Sequence, residues 1–394
     1  MKVVDGMNNF IYNTPTKVFF GKDMHLNVGE IVKSYGFKKI MLQYGKSSIK
    51  KSGLYDIVMD SLRENAVEVV EMGGVEPNPK VTFVRDAVAV AKSEGVELVL
   101  AVGGGSVIDS AKATAIGAAH DCDIWDIMTA KVKPQAALPV GCVLTISAAG
   151  SEMSASAVVT NLEENMKRGL GSEFNRPLFA VCNPELTYSV GKYQTACGIV
   201  DMMTHTMERY FTVCDPTDLT DRISESLLKS VIAAGKTAMK NPEDYEARAT
   251  LMWASSLSHN GLTGCGRENG LAVHQLEHAL SGKYDHIAHG AGLAVLFPAW
   301  ARYIYKYNVS RFAQFARRVF DVECADDEQA ALEGIEKMAE FFAELGLPSR
   351  LSDFGEIESV AKLADLCTFG GKRTVKSYIP LGENEIEDIF NLCL

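Results

Sequence analysis

The sequence predicts an α/β domain with a parallel sheet, followed by an all-α domain. Over residues 1–189, short apolar runs alternate with helical patterns, which is typical of βαβ units. From residue 190 to residue 394 the strand signals stop, and helical patterns follow one another. The length of 394 residues gives each domain enough chain for a core of its own.

The strands of the first domain are short apolar runs bounded by turns or by glycines. The expected strands cover residues 38–45, 66–72, 97–105, 139–146 and 178–184. Helices are expected between them, from about 50 to 64, up to 94 and through 117, and a β-hairpin over 155–172. Strands separated by helices at this spacing pair in parallel.

The second domain consists of amphipathic helical patterns after Pro184. These helices are expected at about 190–214, 217–240, 242–260, 267–281, 291–306 and 326–345, with smaller ones towards the end. We therefore place a domain boundary near residue 190.

Composition and charge exclude several classes of partner. The formal net charge of −11 disfavours nucleic acid and anionic membranes. No apolar run approaches the roughly 20 residues of a membrane span, and the N-terminal stretch lacks the apolar region of a signal peptide. The nine cysteines are an odd number without a C-x-x-C pair, which fits neither a disulfide framework nor a thiolate zinc cage. We expect a protein of the reducing cytoplasm.

A glycine-rich junction ends the third expected strand, in LVLAVGGGSVIDSAK (98–112). Backbone N–H groups and the positive end of the helix dipole favour an anion at such a junction, and glycines let a diphosphate come close. Ser106 is the expected N-cap of the helix. A tight turn that binds nothing remains the alternative. The chain contains no G-x-G-x-x-G, and a P-loop at Gly45-Lys46-Ser47 would need a glycine where Ile40 stands.

Histidines concentrate in one stretch, HQLEHALSGKYDHIAHG, which holds four of the eight in the chain: His274, His278, His286 and His289. Upstream, Asp201 and His205 are four residues apart in a helical pattern, so they share one helix face. A carboxylate and three imidazoles suit Fe²⁺ or Zn²⁺ with open positions for substrate. Each pair alone also fits a hydrogen bond on a solvated face, but together they favour a metal site.

Three long stretches carry a family resemblance: GGGSVIDSAK, PELTYSVGKYQTACGIVDMMTHTMERYF and HQLEHALSGKYDHIAHGAGLAVLFPAW. They resemble the iron-containing alcohol dehydrogenase family, in the branch of butanol dehydrogenases and aldehyde reductases. The resemblance implies a nucleotide-binding α/β domain and an all-α metal-binding domain, the dehydroquinate synthase-like fold, with the active site in the cleft between them. It implies the metal ligands Asp201, His205, His274 and His289, with His286 as a loop residue.

The same resemblance implies where a nicotinamide cofactor would bind. The diphosphate is expected at Gly103, Gly104, Gly105 and Ser106, and the nicotinamide ribose at Asp109. Thr145 and Ser151 are expected to line the cofactor site. His278 is expected to carry a proton to or from the substrate oxygen, or else to orient a metal ligand.

The segment YGKSSIKK (44–51) predicts NADP in preference to NAD. An NAD site usually places an acidic side chain near the ribose 2′-hydroxyl, and relatives with that preference have an aspartate where this chain has Gly45. Ser47, Ser48 and the hairpin residue Lys167 suit a 2′-phosphate. A solvated turn that accepts both cofactors is the alternative.

The resemblance implies hydride transfer between a nicotinamide and short to medium primary alcohols or aldehydes, such as butanol and butanal. It also implies a homo-oligomer, most simply a dimer. A glycerol dehydrogenase-like polyol oxidoreductase and a metal-binding assembly protein without turnover remain alternatives. A dehydroquinate synthase is disfavoured because the basic groups for a phosphorylated substrate are missing near the metal motifs.

Overall fold

The computed structural model describes residues 4–268 and 270–394. The chain forms two compact units. One contains Asn13–Val190, and the other contains the segment up to Tyr12 together with Gly191–Leu394. The expected α/β part and helical part are both present, which confirms the predicted fold class.

Ten strands occur in the described residues. They are β1 (Val4–Asp5), β2 (Lys17–Phe20), β3 (Lys39–Gly45), β4 (Glu68–Val75), β5 (Leu98–Gly103), β6 (Val140–Leu144), β7 (Ser156–Asn161), β8 (Met166–Gly171), β9 (Phe179–Cys182) and β10 (Cys214–Asp215).

Six of these strands form one parallel sheet in the order β2-β9-β6-β5-β3-β4. Every residue of β5 and of β6 is buried, because helices cover both faces of a parallel sheet. This is why their sequences read as continuous apolar runs rather than as alternating ones. The antiparallel pair β7–β8 is the expected hairpin.

Fifteen α-helices occur in the same described ranges. They are α1 (Val28–Ser34), α2 (Ser48–Lys51), α3 (Leu54–Glu64), α4 (Val81–Glu94), α5 (Gly105–Ala118), α6 (Ile124–Met128), α7 (Lys192–Tyr210), α8 (Asp218–Lys240), α9 (Tyr245–His259), α10 (Ala272–Lys283), α11 (His289–Ile304), α12 (Val309–Val319), α13 (Asp327–Glu344), α14 (Val360–Thr368) and α15 (Glu383–Asn391).

The helix expected from residue 50 to 64 is interrupted. Gly53 adopts a left-handed conformation, with φ +77°, between α2 and α3, and a residue with a side chain rarely adopts this conformation. The interruption makes α2 a single turn after β3.

The N-terminal segment groups with the helical unit, although the sequence-based division assigns it to the first domain. Strand β1 pairs in parallel with β10, and the backbone N–H of Asn8 donates to the carbonyl of Gly266 at 2.9 Å. Two-residue strands have no detectable periodicity, so sequence patterning misses them.

The helical unit is organised around α7 and α11. Every residue of α7 from Thr195 onwards is buried, and so is most of α11. At the end of α7, the ring of Phe211 stacks on that of Phe312 with centroids 4.1 Å apart. In the described part of the chain, no helix combines the length and the apolar character that crossing a membrane requires.

Candidate metal centre and cofactor loop

The first two candidate ligands lie one turn apart in the middle of α7. Asp201 and His205 are each 5% exposed. The Nδ1 atom of His205 is 3.0 Å from the backbone carbonyl oxygen of Asp201 and 3.0 Å from its Oδ1. The four-residue spacing therefore places both side chains on one buried helix face, as the sequence predicts.

The other two candidate ligands come from separate helices. His274 lies in the first turn of α10, and His289 is the first residue of α11. Their Nε2 atoms are 3.6 Å and 3.8 Å from Oδ1 of Asp201. The rings of His205 and His274 have centroids 4.0 Å apart, and those of His274 and His289 5.4 Å. The structure thus brings the four side chains together around one carboxylate oxygen.

Two buried polar atoms in this cluster have no hydrogen-bond partner among the described residues. Oδ1 of Asp201 and Nε2 of His274 are inaccessible to solvent, and no described residue completes a hydrogen bond with either. Native proteins rarely leave such acceptors unsatisfied. A divalent cation between these atoms would satisfy them, and carboxylate and imidazole are ligands of Fe²⁺ and Zn²⁺. The residues therefore fit a resident metal ion.

Burial and neighbouring charged groups shift the pKa values of the residues in this cluster. Burial opposes ionisation of Asp201, but His205, His274 and His289 outweigh it and hold the pKa of its carboxyl well below the usual range. Burial and the neighbouring His274 lower the pKa of His205 to about 3. Burial also opposes protonation of His274, but the negative charges of Glu208 and Asp201, and the hydrogen bond with Glu208, raise its pKa to about 9.

Two glutamates that the sequence analysis missed contact the outer sides of the ligand histidines. Glu208 of α7 accepts a hydrogen bond from Nδ1 of His274, and Glu277 of α10 accepts one from Nδ1 of His289. Each has a signal in the sequence. Glu208 lies seven residues after Asp201 and Glu277 three residues after His274, so each shares a helix face with a ligand.

A further missed histidine lies against His205. The ring centroid of His259, at the end of α9, is 4.0 Å from that of His205. Arg209 donates a hydrogen bond to Nδ1 of His259 at 2.9 Å and another to the carbonyl of His205 at 2.6 Å. Burial lowers the pKa of Arg209 to about 10, so this guanidinium remains charged at neutral pH.

The two remaining histidines of the histidine-rich stretch have different positions. His278 is half-buried, with its ring centroid 5.7 Å from that of His289. His286 is exposed in the loop before α11, with Nε2 3.2 Å from the carbonyl of Phe354. His286 therefore lies outside the cluster, and His289 completes it.

Gly290 lets α11 approach α7 closely enough to deliver His289. A Cβ atom at this position would lie 2.2 Å from the carbonyl oxygen of Cys197. Cys197 is one turn before Asp201 on α7. The glycine after His289 thus sets the separation of two ligand-bearing helices.

The glycine-rich junction forms the tight turn between β5 and α5. Gly104 is the N-cap residue of α5 and makes no side-chain cap, whereas Ser106 is the second residue of the helix. The expected capping role of Ser106 is therefore wrong, because the helix begins two residues earlier. A Cβ on Gly103 would lie 2.6 Å from Val107, and one on Gly104 would lie 2.4 Å from Ile146. These two glycines are thus required by the packing of the chain itself, whereas Gly105 has only ordinary contacts.

Asp109 and Ser151, both expected to contact cofactor, take part in a buried network. The Ser151 hydroxyl donates to Oδ1 of Asp109 at 2.6 Å, and the N–H of Val158 donates to Oδ2 at 3.0 Å. Lys112 donates to Ser151 at 2.9 Å and to the carbonyl of Ser156 at 2.8 Å. Lys112, which the sequence analysis missed, is fully buried, and this burial lowers its pKa.

This network holds the loop between β6 and β7, which contains Thr145 and Ser151. Thr145 is half-buried, and its N–H donates to the carbonyl of Gly103 at 3.1 Å. Burial raises the pKa of Asp109, against the opposing charges of Lys112 and Lys167. The expected diphosphate loop and the expected ribose contacts are therefore joined by hydrogen bonds within the α/β unit.

The segment expected to recognise the adenosine ribose follows β3. Gly45 ends the strand, and Ser47 and Ser48 are exposed at the start of α2. Lys46 forms an ion pair with Glu76 at 2.6 Å. The lysine beside Gly45 therefore already has a carboxylate partner.

The other lysine of this turn is held by aromatic rings. The ammonium of Lys50 lies 5.1 Å from the ring centroid of Tyr44 and 4.6 Å from that of Tyr55. Both tyrosine hydroxyls donate to Glu71 at 2.9 Å. Lys167 lies on β8, opposite Thr160 of β7.

Comparison with protein families gives two adjacent matches. The pattern described as iron-containing alcohol dehydrogenase matches residues 15–184. The pattern described as the C-terminal part of the Fe-containing alcohol dehydrogenase family matches residues 195–394. Together they cover almost the whole chain, including every candidate site residue.

Individual relatives match over similar lengths. A probable NADH-dependent butanol dehydrogenase of Bacillus subtilis is 43% identical, over 98% of this chain and all of its own length. The NADPH-dependent aldehyde reductase YqhD of Escherichia coli is 36% identical, over 89% of this chain and 90% of its own length. The crystal structure of an NADH-dependent butanol dehydrogenase A from Thermotoga maritima superposes with a TM-score of 0.96 at 39% identity, covering 99% of this chain and all of the other.

Proposed function

The chain belongs to the iron-containing alcohol dehydrogenase family, and on that premise we propose that it interconverts short to medium primary alcohols and their aldehydes with a nicotinamide cofactor. It is an NAD(P)-linked oxidoreductase of the alcohol dehydrogenase and aldehyde reductase type. The preference for substrates such as butanol and butanal rests on relatives named for butanol and aldehyde.

One observation carries the proposal. Oδ1 of Asp201 and Nε2 of His274 are buried, have no hydrogen-bond partner among the described residues, and lie 3.6 Å apart. The side chains of His205 and His289 also lie next to Oδ1 of Asp201. We propose these four side chains as the ligands of the iron that the family description names, with Zn²⁺ as an alternative occupant.

The chemistry follows from the ligand set. When bound, a divalent cation supplies Lewis acidity, which stabilises the negative charge that develops on the substrate oxygen as hydride reaches the carbonyl carbon. The protein's own residues must orient that oxygen, exclude water and deliver a proton. His278 lies beside His289 without being part of the Asp201 cluster, so we propose it as the group that gives the proton to the alkoxide.

Cofactor binding is proposed at the loop of the α/β unit. Gly103, Gly104, Gly105 and Ser106 offer backbone N–H groups at the start of α5 to the diphosphate. Asp109, Thr145 and Ser151 are proposed to line the nicotinamide half of the site. Asp109 already accepts two hydrogen bonds, and a carboxylate has further acceptor positions for a ribose hydroxyl.

NADP is the cofactor that we propose is preferred. Gly45 places no carboxylate at the end of β3, and Lys46 neutralises the nearby Glu76. Ser47, Ser48 and Lys167 are proposed to contact the 2′-phosphate. Four relatives that are 40–43% identical are named NADH-dependent, and one that is 36% identical is named NADPH-dependent. The proposed preference for NADP therefore rests on the absence of a carboxylate at Gly45 and not on these names.

We also propose a homodimer in the cytoplasm. Consecutive apolar side chains at Phe10, Ile11 and Tyr12 are exposed, Ile11 by 98%, and an exposed apolar run supports a surface that a second copy covers. The molar mass measured by light scattering, for wild type and for Ile11→Asp, tests the assembly.

The function is tested by following NADPH and NADH oxidation with butanal, alongside glycerol oxidation, on protein of measured metal content. We expect butanal reduction by metal-loaded protein and none by protein stripped of metal. Preferred turnover of glycerol would instead favour a polyol dehydrogenase, and undiminished turnover by stripped protein would contradict the metal mechanism.

A further inference from the structure

Each candidate ligand histidine outside α7 is contacted by a glutamate from the preceding ligand-bearing helix. Glu208 of α7 reaches His274 of α10, and Glu277 of α10 reaches His289 of α11. Both glutamates are buried, Glu208 to 5% exposure and Glu277 completely. The three helices are therefore linked in chain order by carboxylate–imidazole hydrogen bonds.

These contacts fix which nitrogen of each ring faces the cluster. A carboxylate accepts a hydrogen bond, so Nδ1 of His274 and of His289 carries the proton and Nε2 presents its lone pair. Both Nε2 atoms point towards Oδ1 of Asp201, at 3.6 Å and 3.8 Å. The rings are thereby oriented for a cation by the protein alone.

The charge of the cluster points to the same conclusion. Asp201, Glu208 and Glu277 are three buried carboxylates, and Arg209 is the one buried cation that contacts a ligand of this cluster among the described residues. With neutral imidazoles, two negative charges are left uncompensated. Buried charges are costly unless they are paired, and a divalent cation supplies the matching charge.

We propose that Glu208 and Glu277 are positioning residues that hold the Nε2 atoms of His274 and His289 towards the metal and set its affinity. The inference rests on the proposed metal site. It goes further by assigning a role in metal binding to two residues that do not themselves bind the metal. Such carboxylates change metal affinity by roughly 10–100-fold when they are removed.

Glu277 is the better test position, because Glu208 also accepts a hydrogen bond from the backbone N–H of Val273 at 2.6 Å. Glu277→Gln keeps an acceptor for His289 but removes the charge. Glu277→Met removes both at similar volume. Glu225→Gln is the matched control, since Glu225 is a buried glutamate on α8 that bonds Tyr210 and contacts none of the histidines.

The measurement is the Zn²⁺ dissociation constant of each intact chain, from competition with a chelator, together with the melting temperature of the stripped protein. We expect wild type and Glu225→Gln to bind alike, Glu277→Gln to bind several-fold more weakly, and Glu277→Met roughly 10–100-fold more weakly. The stripped variants should melt without a matching loss. Unchanged affinity in Glu277→Met, or a loss equal to that of Glu225→Gln, overturns the inference.

The absorption spectrum of the Co²⁺-loaded chain keeps the test decisive if Glu277→Met does not fold. We expect Glu277→Gln and Glu208→Gln to shift the Co²⁺ bands, because ring orientation changes, and Glu225→Gln to leave them unchanged. Identical bands in all variants overturn the inference.

A stoichiometry of two Zn²⁺ that falls to one in Glu277→Met would also overturn it, since Glu277 would then be a ligand with His278 and His289. Equal Zn²⁺ binding by wild type and His274→Ala would instead refute the proposed metal site.

Discussion

Oδ1 of Asp201 and Nε2 of His274 face each other across 3.6 Å inside the helical unit, and no described residue completes a hydrogen bond with either atom. The two residues come from helices about 70 positions apart in the chain. A divalent cation bound here would satisfy both atoms and would balance the negative charge of the buried carboxylates.

Replacement of His274 tests the dependence on metal. We expect His274→Ala to lose bound metal and to lower turnover by roughly a thousandfold or more, because Lewis-acid stabilisation contributes several kcal/mol to the transition state. Metal analysis and the rate of butanal reduction measure this. His286→Ala is the control from the same stretch, since His286 is exposed and outside the cluster, and it should keep both metal and activity. Loss of metal in the His286 variant with retention in the His274 variant would contradict the ligand set.

How much of this centre could be predicted from sequence depends on the range of each contact. Asp201 and His205 lie four residues apart on one helix, so their spacing alone places them on one face. The same holds for His274 and His278. The meeting of α10 and α11 with α7 is a long-range event, which the combination of the two motifs favoured and the family resemblance implied. Glu208 and Glu277 were missed because a glutamate three residues from a histidine usually marks a solvated helix face.

The same limit applies to the fold. Strands β5 and β6 were predicted because buried parallel strands are continuous apolar runs. Strand β1 was missed because two residues carry no period, and its partner β10 lies more than 200 residues away. The N-cap of α5 is Gly104 rather than Ser106, and a Cβ at Gly104 would lie 2.4 Å from Ile146, a distant residue that no local pattern contains.

Gly290 should be intolerant of even a methyl group. A Cβ would lie 2.2 Å from the carbonyl oxygen of Cys197, so α11 must move away from α7 and carry His289 with it. We expect Gly290→Ala to cost about 1–3 kcal/mol of unfolding free energy, as overpacking does, and to weaken metal binding. Urea unfolding and metal titration measure the two effects. Gly171→Ala is the control because a Cβ there meets nothing within 4 Å, and an equal loss in both variants would refute the explanation.

Lys112 should be essential to the cofactor loop although it is completely buried. Its ammonium donates to Ser151, to Ser154 and to the carbonyl of Ser156, and it balances the charge of Asp109. Lys112→Met leaves that carboxylate uncompensated, so we expect a loss of about 3–5 kcal/mol of unfolding free energy.

The accompanying effect on cofactor binding separates this role from general stability. At a temperature where Lys112→Met remains folded, we expect weaker NADPH binding, measured by the fluorescence of the bound nicotinamide. Lys131→Met is the control, since Lys131 pairs with Asp126 at the surface, and this variant should bind cofactor normally. Normal binding by the Lys112 variant would show that the network does not serve the cofactor.

The residue at position 45 should determine whether NADPH or NADH is preferred. Gly45 ends β3, and a Cβ there would lie 3.6 Å from the carbonyl oxygen of Val75, an ordinary contact. The Cβ of an aspartate therefore fits without displacing the chain. Its carboxylate would accept a hydrogen bond from a ribose 2′-hydroxyl and repel a 2′-phosphate. We expect wild type to have the higher kcat/KM with NADPH. Gly45→Asp should lower the NADPH-to-NADH ratio of kcat/KM by roughly tenfold or more, which is ~1.4 kcal/mol of discrimination.

Gly45→Ala adds the Cβ without the charge and should leave the ratio near that of wild type. A wild-type preference for NADH, or an aspartate variant with an unaltered ratio, would mean that Gly45, Ser47, Ser48 and Lys167 do not select the 2′-phosphate.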